Sequence, residues 1–191
     1  LNAIIGFTDI LKYTNLNPIQ KEYVSNANVS GHALLDIIND ILDFSKIEAG
    51  LLTLENIKTD MFQLLDNCVD IIRFAAEKKS LLLVLEIDPE MPRFAGVDPI
   101  RLKQILTNLL SNAVKFTSKG EIKLQVRFEK ITDNRGKFSF SVRDTGIGIA
   151  DSQKEKLFKA FSQADSSTTR KFGGTGLGLI ISDLIAREMG S

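Results

Sequence analysis

Residues 101–117, RLKQILTNLLSNAVKFT, constrain the chain most, because their apolar and polar positions separate cleanly only on an α-helix. At about 100° per residue, Leu102, Leu106, Leu109, Leu110 and Ala113 form one apolar stripe. Asn108, Asn112 and Lys115 fall within roughly 60° of one another, on a face centred roughly 130° from that stripe. Such a helix buries one side, while the adjoining side presents two amides and one ammonium. An amide oxygen can ligate a hard cation without adding charge, and an ammonium can meet a phosphate. Taken alone, a solvated polar face explains the same pattern.

A helix of this kind needs enough chain around it to cover its stripe. With 191 residues, 43% hydrophobic and 25% charged, there is room for one large domain or two small ones of ordinary globular composition. Lys+Arg and Asp+Glu are equal at 24 each, which leaves no field to attract nucleic acid or an anionic membrane. The longest purely apolar run, residues 81–85, is far too short to span a bilayer. No basic region precedes the first apolar residues as it would in a signal peptide. Cys68 and His32 each stand alone, so neither an internal disulfide nor a His/Cys metal centre is expected. The chain reads as cytoplasmic.

Residues 1–50 read as two helices. Leu1, Ile4, Ile5, Thr8 and Leu11 recur at helical spacing, and residues 13–17 break the pattern. Asn17-Pro18-Ile19-Gln20 is a helix start, with Asn as N-cap, Pro at the first position and Gln at the third. The second helix carries Leu34, Ile37, Ile38, Ile41, Leu42, Phe44 and Ile47 and is expected to stop at Gly50. Its stripe is too wide for one hairpin to cover, which predicts dimerisation into a four-helix bundle; packing on the rest of the chain would also cover it.

A domain boundary is expected at residue 51. Leu52, Leu54 and Ile57 suggest a strand. Asp60-Met61-Phe62-Gln63 opens a helix with an expected core stripe of Phe62, Leu65, Val69, Ile72 and Ala76, and Cys68 beside it as a small buried hydrophobe. Strands are read at 81–87 and 93–97, and Asp98-Pro99 caps and opens the helix that holds 101–117. Residues 121–130 alternate apolar and polar, Asp133-Asn134-Arg135-Gly136 supplies a turn, and Phe138, Phe140 and Val142 continue as an antiparallel partner. A short helix is expected at 151–157, a polar loop at 162–174 and a last helix at 177–189.

Two glycine clusters flank that loop. In Asp144-Thr145-Gly146-Ile147-Gly148-Ile149, which follows a strand, glycines allow a tight turn and close approach of a ligand. Asp144 can accept a hydrogen bond from an exocyclic amine such as that of adenine. Gly173-Gly174-Thr175-Gly176-Leu177-Gly178-Leu179 opens the last helix, where unpaired N–H groups and the positive dipole end suit phosphate. It lacks the lysine of a phosphate loop and does not follow a strand in a βαβ unit. Ordinary turns and hinges account for either cluster alone.

The order is more specific than its parts: N-x3-N-x2-K on a helix, D-x-G-x-G after a strand, a polar loop, then G-x-G-x-G opening a helix. In this the sequence resembles the histidine kinase catalytic core, within the wider GHKL group of ATPases. NLLSNAVKFT resembles the family's N box, DTGIGIA its G1 box, FKAFSQAD its F box and GGTGLGLII its G2 box. SGHALLDIINDILDFSKIEAG is similar to the second dimerisation helix, and the resemblance covers nearly the whole chain. It implies an α+β chain. Residues 1–50 would be a helical hairpin, half of a dimeric four-helix bundle, and 51–191 a GHKL-type α/β sandwich ATP-binding domain with a mixed sheet.

The resemblance also implies ATP and Mg²⁺ as ligands. Asn112, with Asn108 beside it, would hold the ion, and Lys115 would meet the phosphates. Phe116 would pack near the base, although a plain core role fits it as well. Asp144 would take the adenine amino group, with Gly146 and Gly148 flooring that pocket and Ile149 beside them. Thr175, Gly176, Leu177 and Gly178 would surround the phosphates. Phe158 and Phe161 would anchor a lid over 162–175. Within it Arg170 and Lys171 read as a solvated pair rather than lid cations, and Gln163 stands where some relatives carry a basic residue.

The family's acceptor histidine lies in an H-E-x-R-T-P-L-N motif, and Leu1-Asn2 resembles its end. No catalytic residue of the transfer is therefore expected in this fragment, and His32, set in Ser-Gly-His-Ala-Leu, does not match the motif. The strand pair that follows the G2 helix in the family is likewise expected to be missing. The implied partners are a response regulator receiver domain, attached or separate, and a second copy bound through residues 1–50, with no nucleic acid. The implied location is cytoplasmic, in a parent that is soluble or membrane-anchored. Two rivals stay open. One is another GHKL ATPase of topoisomerase, mismatch-repair or chaperone type, against which Gln104 and Asn108 stand where a catalytic Glu is usual. The other is a non-catalytic dimerisation module, against which the intact motifs argue.

Overall fold

The computed structural model describes residues 1–151 and 176–191, and the chain forms two compact units, Leu1–Leu52 and Thr53–Ser191. The first is a hairpin of α1 (Asn2–Lys12) and α2 (Pro18–Glu48). A reciprocal capping box starts α2: Asn17 Oδ1 accepts the Gln20 N–H at 2.8 Å, and Gln20 Oε1 accepts the Asn17 N–H at 3.0 Å. Pro18 follows, where its missing N–H costs nothing.

Little of this hairpin is buried. The buried residues are Ile5 and Thr8 on α1 and Asn28, Gly31 and Ile47 on α2. A Cβ on Gly31 would stand 3.0 Å from Ile5 Cγ1, so the two helices meet closely there. Next to that contact lies a polar cluster. Asn28 Nδ2 donates to Thr8 Oγ1 at 2.8 Å and to Asp9 Oδ1 at 2.9 Å, and Asn28 Oδ1 accepts from Lys12 Nζ at 2.5 Å. Leu34, Ile37, Ile38, Ile41 and Leu42 of α2 stay exposed.

The second unit runs β1 (Ile57–Asp60), α3 (Met61–Lys78), β2 (Leu82–Ile87), β3 (Phe94–Val97), α4 (Pro99–Phe116), β4 (Glu121–Thr132), β5 (Arg135–Asp144) and, among the described residues, α5 (Gly178–Glu188). β2 pairs parallel with β4, and β4 antiparallel with β5, giving a mixed sheet in the order β2-β4-β5. β1 and β3 form a separate antiparallel pair. Along β4, Ile122, Leu124 and Val126 are each 1% exposed and pack with Leu65, Cys68 and Ile72 of α3 and Leu106 and Leu110 of α4. The register brings Leu83, Leu85 and Ile87 of β2 and Phe138, Phe140 and Val142 of β5 to the same face. Each such buried side chain stabilises the unit by roughly 1.5–3 kcal/mol relative to exposure. Cys68 is fully buried, and desolvation pushes its thiol up to about 11, so it serves as a core hydrophobe.

The expected α+β order and mixed sheet are present, with local differences. Leu52 and Leu54 do not begin a strand. β1 starts only at Ile57, because its extent is set by β3, with Ile57 opposite Val97 and Asp60 opposite Phe94. Phe62 is 38% exposed, whereas Met61 is fully buried and Leu64 nearly so. The period of α3 is as read, but its phase is decided by what packs against it. The last helix begins at Gly178 rather than Leu177. After Asp151 the short helix expected at 151–157 lies outside the described residues, as do Phe158, Phe161, Gln163, Arg170, Lys171, Gly173, Gly174 and Thr175. Among the described residues no helix is long and apolar enough to cross a membrane.

Candidate functional site

Both ends of α4 are held by charged side chains. At its start Asp98, 6% exposed, accepts the N–H groups of Ile100 at 3.1 Å and Arg101 at 2.9 Å through Oδ1, and that of Glu55 at 3.0 Å through Oδ2. Burial alone would raise the Asp98 carboxyl, but these backbone donors outweigh it and hold its pKa below the ordinary value. At the far end Lys79, just past α3, donates Nζ to the carbonyls of Val114 at 2.5 Å, Lys115 at 3.2 Å and Thr117 at 3.1 Å. Carbonyls left over at a helix C-terminus are where a cation is most favourable.

Between these anchors Asn108, Asn112 and Lys115 line one side of α4, all half-buried. Asn112 Nδ2 donates to Asn108 Oδ1 at 3.4 Å, and Asn108 Nδ2 donates to Ser182 Oγ of α5 at 2.9 Å. Gly178 faces the same amide. A Cβ there would stand 2.5 Å from Asn108 Oδ1, so a glycine is what lets the start of α5 reach α4. The Lys115 ammonium lies 5.1 Å above the Phe116 ring, and burial lowers its pKa.

The turn after β5 meets the end of α4. Asp144 Oδ1 accepts the Gly146 N–H at 2.8 Å and the hydroxyl of Thr117, a fully buried residue, at 3.4 Å. Oδ2 has no hydrogen-bond partner among the described residues. Ile147 N–H donates to the Phe116 carbonyl at 3.4 Å, and a Cβ on Gly146 would stand 2.5 Å from that same oxygen. Thr145 pins the turn from behind, its Oγ1 accepting the Glu121 N–H at 3.0 Å.

The structure thus brings together Asn108, Asn112, Lys115 and Phe116 of α4, Asp144 and Gly146 of the turn, and Gly178 of α5. Gly148 has no contact of this kind: its φ is +68°, and a Cβ there would meet nothing within 4 Å. Ile149 is 52% exposed. The side chain of Leu177 is 1% exposed and belongs to the interior, while Gly176 beside it has a φ of +71°. Among the described residues no group of three or more His, Cys, Asp or Glu could hold a metal. The amide oxygens of Asn108 and Asn112 are neutral, hard donors. They fit a Mg²⁺ ion that keeps waters and takes its anionic ligands from a bound phosphate. Lys79, Thr117 and Ser182 escape a reading by spacing, since their partners lie 35, 27 and 74 positions away. Only Thr117, a polar residue at a helix end, carried any local signal.

Residues 1–50 match the family model described as the His Kinase A (phospho-acceptor) domain, and residues 97–191 the one described as histidine kinase-, DNA gyrase B-, and HSP90-like ATPase. The sensor protein GacS of Pseudomonas syringae pv. syringae is 47% identical over 190 residues, covering 100% of this chain and 21% of that protein. The signal transduction histidine-protein kinase BarA of Escherichia coli (strain K12) is 43% identical over 190 residues, with the same coverage of 100% and 21%. The chain therefore spans about a fifth of the length of these curated relatives. Full-length ShkA in complex with AMPPNP superposes with a TM-score of 0.78 at 33% identity, covering 99% of this chain and 38% of that one. Histidine kinase ThkA in complex with response regulator protein TrrA gives a TM-score of 0.58 at 27% identity, covering 85% and 46%.

Proposed function

Because the chain belongs to the histidine kinases, joining their phospho-acceptor domain to their ATPase domain, we propose that it holds Mg-ATP as donor for phosphoryl transfer to a histidine. In the parent protein the phosphoryl group then passes to an aspartate of a response regulator receiver domain. Support for the ATP reading comes from the AMPPNP complex of ShkA, and for the regulator from the ThkA–TrrA complex.

The observation that carries this reading is the convergence on one side of α4. Asn108 is tied to α5 at 2.9 Å, and the Phe116 carbonyl to the turn after Asp144 at 3.4 Å. Asp144 Oδ2 accepts from the adenine amino group while Oδ1 stays engaged by Gly146 and Thr117. Gly146 lets the turn close against the Phe116 carbonyl at the end of α4, holding Asp144 beside the base. Lys115 meets the phosphates, and their charge restores what burial takes from its ammonium. Asn112, with Asn108, supplies oxygens to Mg²⁺, which when bound neutralises phosphate charge. Gly176 and Gly178 present N–H groups at the start of α5.

A second copy covers the exposed Ile4, Phe7 and Ile10 of α1 and Leu34, Ile38 and Ile41 of α2, completing a four-helix bundle. His32, the one histidine of the 191 residues, is exposed on α2, and its Ser-Gly-His-Ala-Leu setting differs from the acceptor motif that the family resemblance implies. The test is titration with a fluorescent ATP analogue, with and without Mg²⁺. Saturable, Mg²⁺-strengthened binding is expected. Asp144→Ala weakens it about tenfold or more under both conditions, and Asn112→Ala does so only with Mg²⁺. Absence of Mg²⁺-strengthened binding by the unaltered chain would overturn the assignment.

A further inference from the structure

We propose that Ser182 of α5 is a positioning residue for the cation-binding amides of α4, acting through Asn108; this rests on the Mg-ATP reading above. Ser182 is 7% exposed, and its hydroxyl accepts Asn108 Nδ2 at 2.9 Å across 74 positions of sequence. A carboxamide has one donor end and one acceptor end. With its donor end spent on Ser182, Asn108 turns Oδ1 toward Asn112, whose Nδ2 donates to it at 3.4 Å. That longer contact favours the same orientation in the second amide, leaving Asn112 Oδ1 as the end offered to a cation. The three residues form a relay in which one buried hydroxyl, by accepting from the first amide, supports the observed orientation of both carbonyl groups.

The packing allows little alternative. Ser182 lies four residues after Gly178, so both face α4 from one side of α5. A Cβ on Gly178 would be 2.5 Å from Asn108 Oδ1 and 3.2 Å from Nδ2, so the amide is confined between the Gly178 backbone and the Ser182 hydroxyl. Outer partners that orient metal ligands are commonly worth about 10–100-fold in metal affinity. A serine that merely docked α5 onto α4 would affect nucleotide binding with and without metal alike.

The experiment compares ATP-analogue affinity in Mg²⁺ and in EDTA for the full chain and for Ser182→Ala, with folding checked by circular dichroism. The expected result is about a tenfold or greater loss of the Mg²⁺-dependent gain in affinity, with EDTA affinity within about twofold of the unaltered chain. Ser182→Thr, which keeps the hydroxyl, restores the gain. If Ser182→Ala does not fold, Ser182→Cys, with similar volume and a weak acceptor, gives the same readout. An unchanged Mg²⁺-dependent gain, or equal losses in both conditions, would overturn the proposal. No Mg²⁺-dependent gain in the unaltered chain would instead overturn the reading beneath it.

Discussion

The two units meet the cost of ordering a chain in different ways. Thr53–Ser191 closes its own core: Leu65, Leu106 and Ile185 are fully buried, and Ile122 and Leu124 are 1% exposed. In Leu1–Leu52, Ile5 and Ile47 are the large apolar side chains that are buried, and Thr8 and Asn28 are buried as well. Side chains of the same kind, from Phe7 to Ile41, face outward. Too little area leaves water in such a hairpin to offset conformational entropy by itself, which is the ground for the second copy proposed above. Apolar content is similar in kind in the two units. What differs is whether the chain itself supplies the opposing surface.

That contrast can be broken from either side. Leu106→Ala should cost about 2–5 kcal/mol in the second unit, seen as a lower urea midpoint that does not depend on protein concentration. Ile38→Asp should act on the first unit through association. It should weaken the proposed dimer by roughly a hundredfold, on the order of 3 kcal/mol, in sedimentation equilibrium, while the transition of the second unit stays in place.

Asp98→Ala should cost about 1–2 kcal/mol, because two N–H groups of α4 and one of Glu55 lose their acceptor. The folded-state pKa of Asp98 lies below its ordinary 3.8, so its contribution is complete above that pH and is lost as pH falls through the lower folded value. Urea titrations over a pH series should therefore show a shallower acid limb for Asp98→Asn. The smallest effect is expected at Asn28→Ala, about 1 kcal/mol or less in thermal melts of the first unit's transition. Thr8 keeps its bond to the Ile5 carbonyl, and Lys12 keeps its ion pair with Asp9.

What could be read from the sequence were the features whose physics is local. The Asn17 to Gln20 box, the Asp98-Pro99 start, the alternation along β4 and the grouping of Asn108, Asn112 and Lys115 each span a few residues, and each is present. The start of β1 is not legible locally, because Ile57 is a strand residue only opposite Val97. Spacing puts Phe62 inside because it gives the width of a stripe but not which edge of it faces the sheet. Lys79 and Ser182 have no local signature at all. A lysine after a helix and a serine within one are ordinary until the carbonyls of 114–117 and the amide of Asn108 are beside them.

The span from Asn108 to Ser182 also bears on time. β4 and β5 meet across the turn at Asp133 and Asn134, and a hairpin of that kind closes within roughly 1–10 μs. Drawing α5 onto α4 closes a far longer loop, which adds entropy cost and slows the search. During synthesis α5 also leaves the ribosome after every other described element. The sheet and the helices over it can thus be native while the amide pair still lacks its second wall. On the Mg-ATP reading proposed above, closing the sheet and completing the donor site would then be separate events, the second waiting on α5.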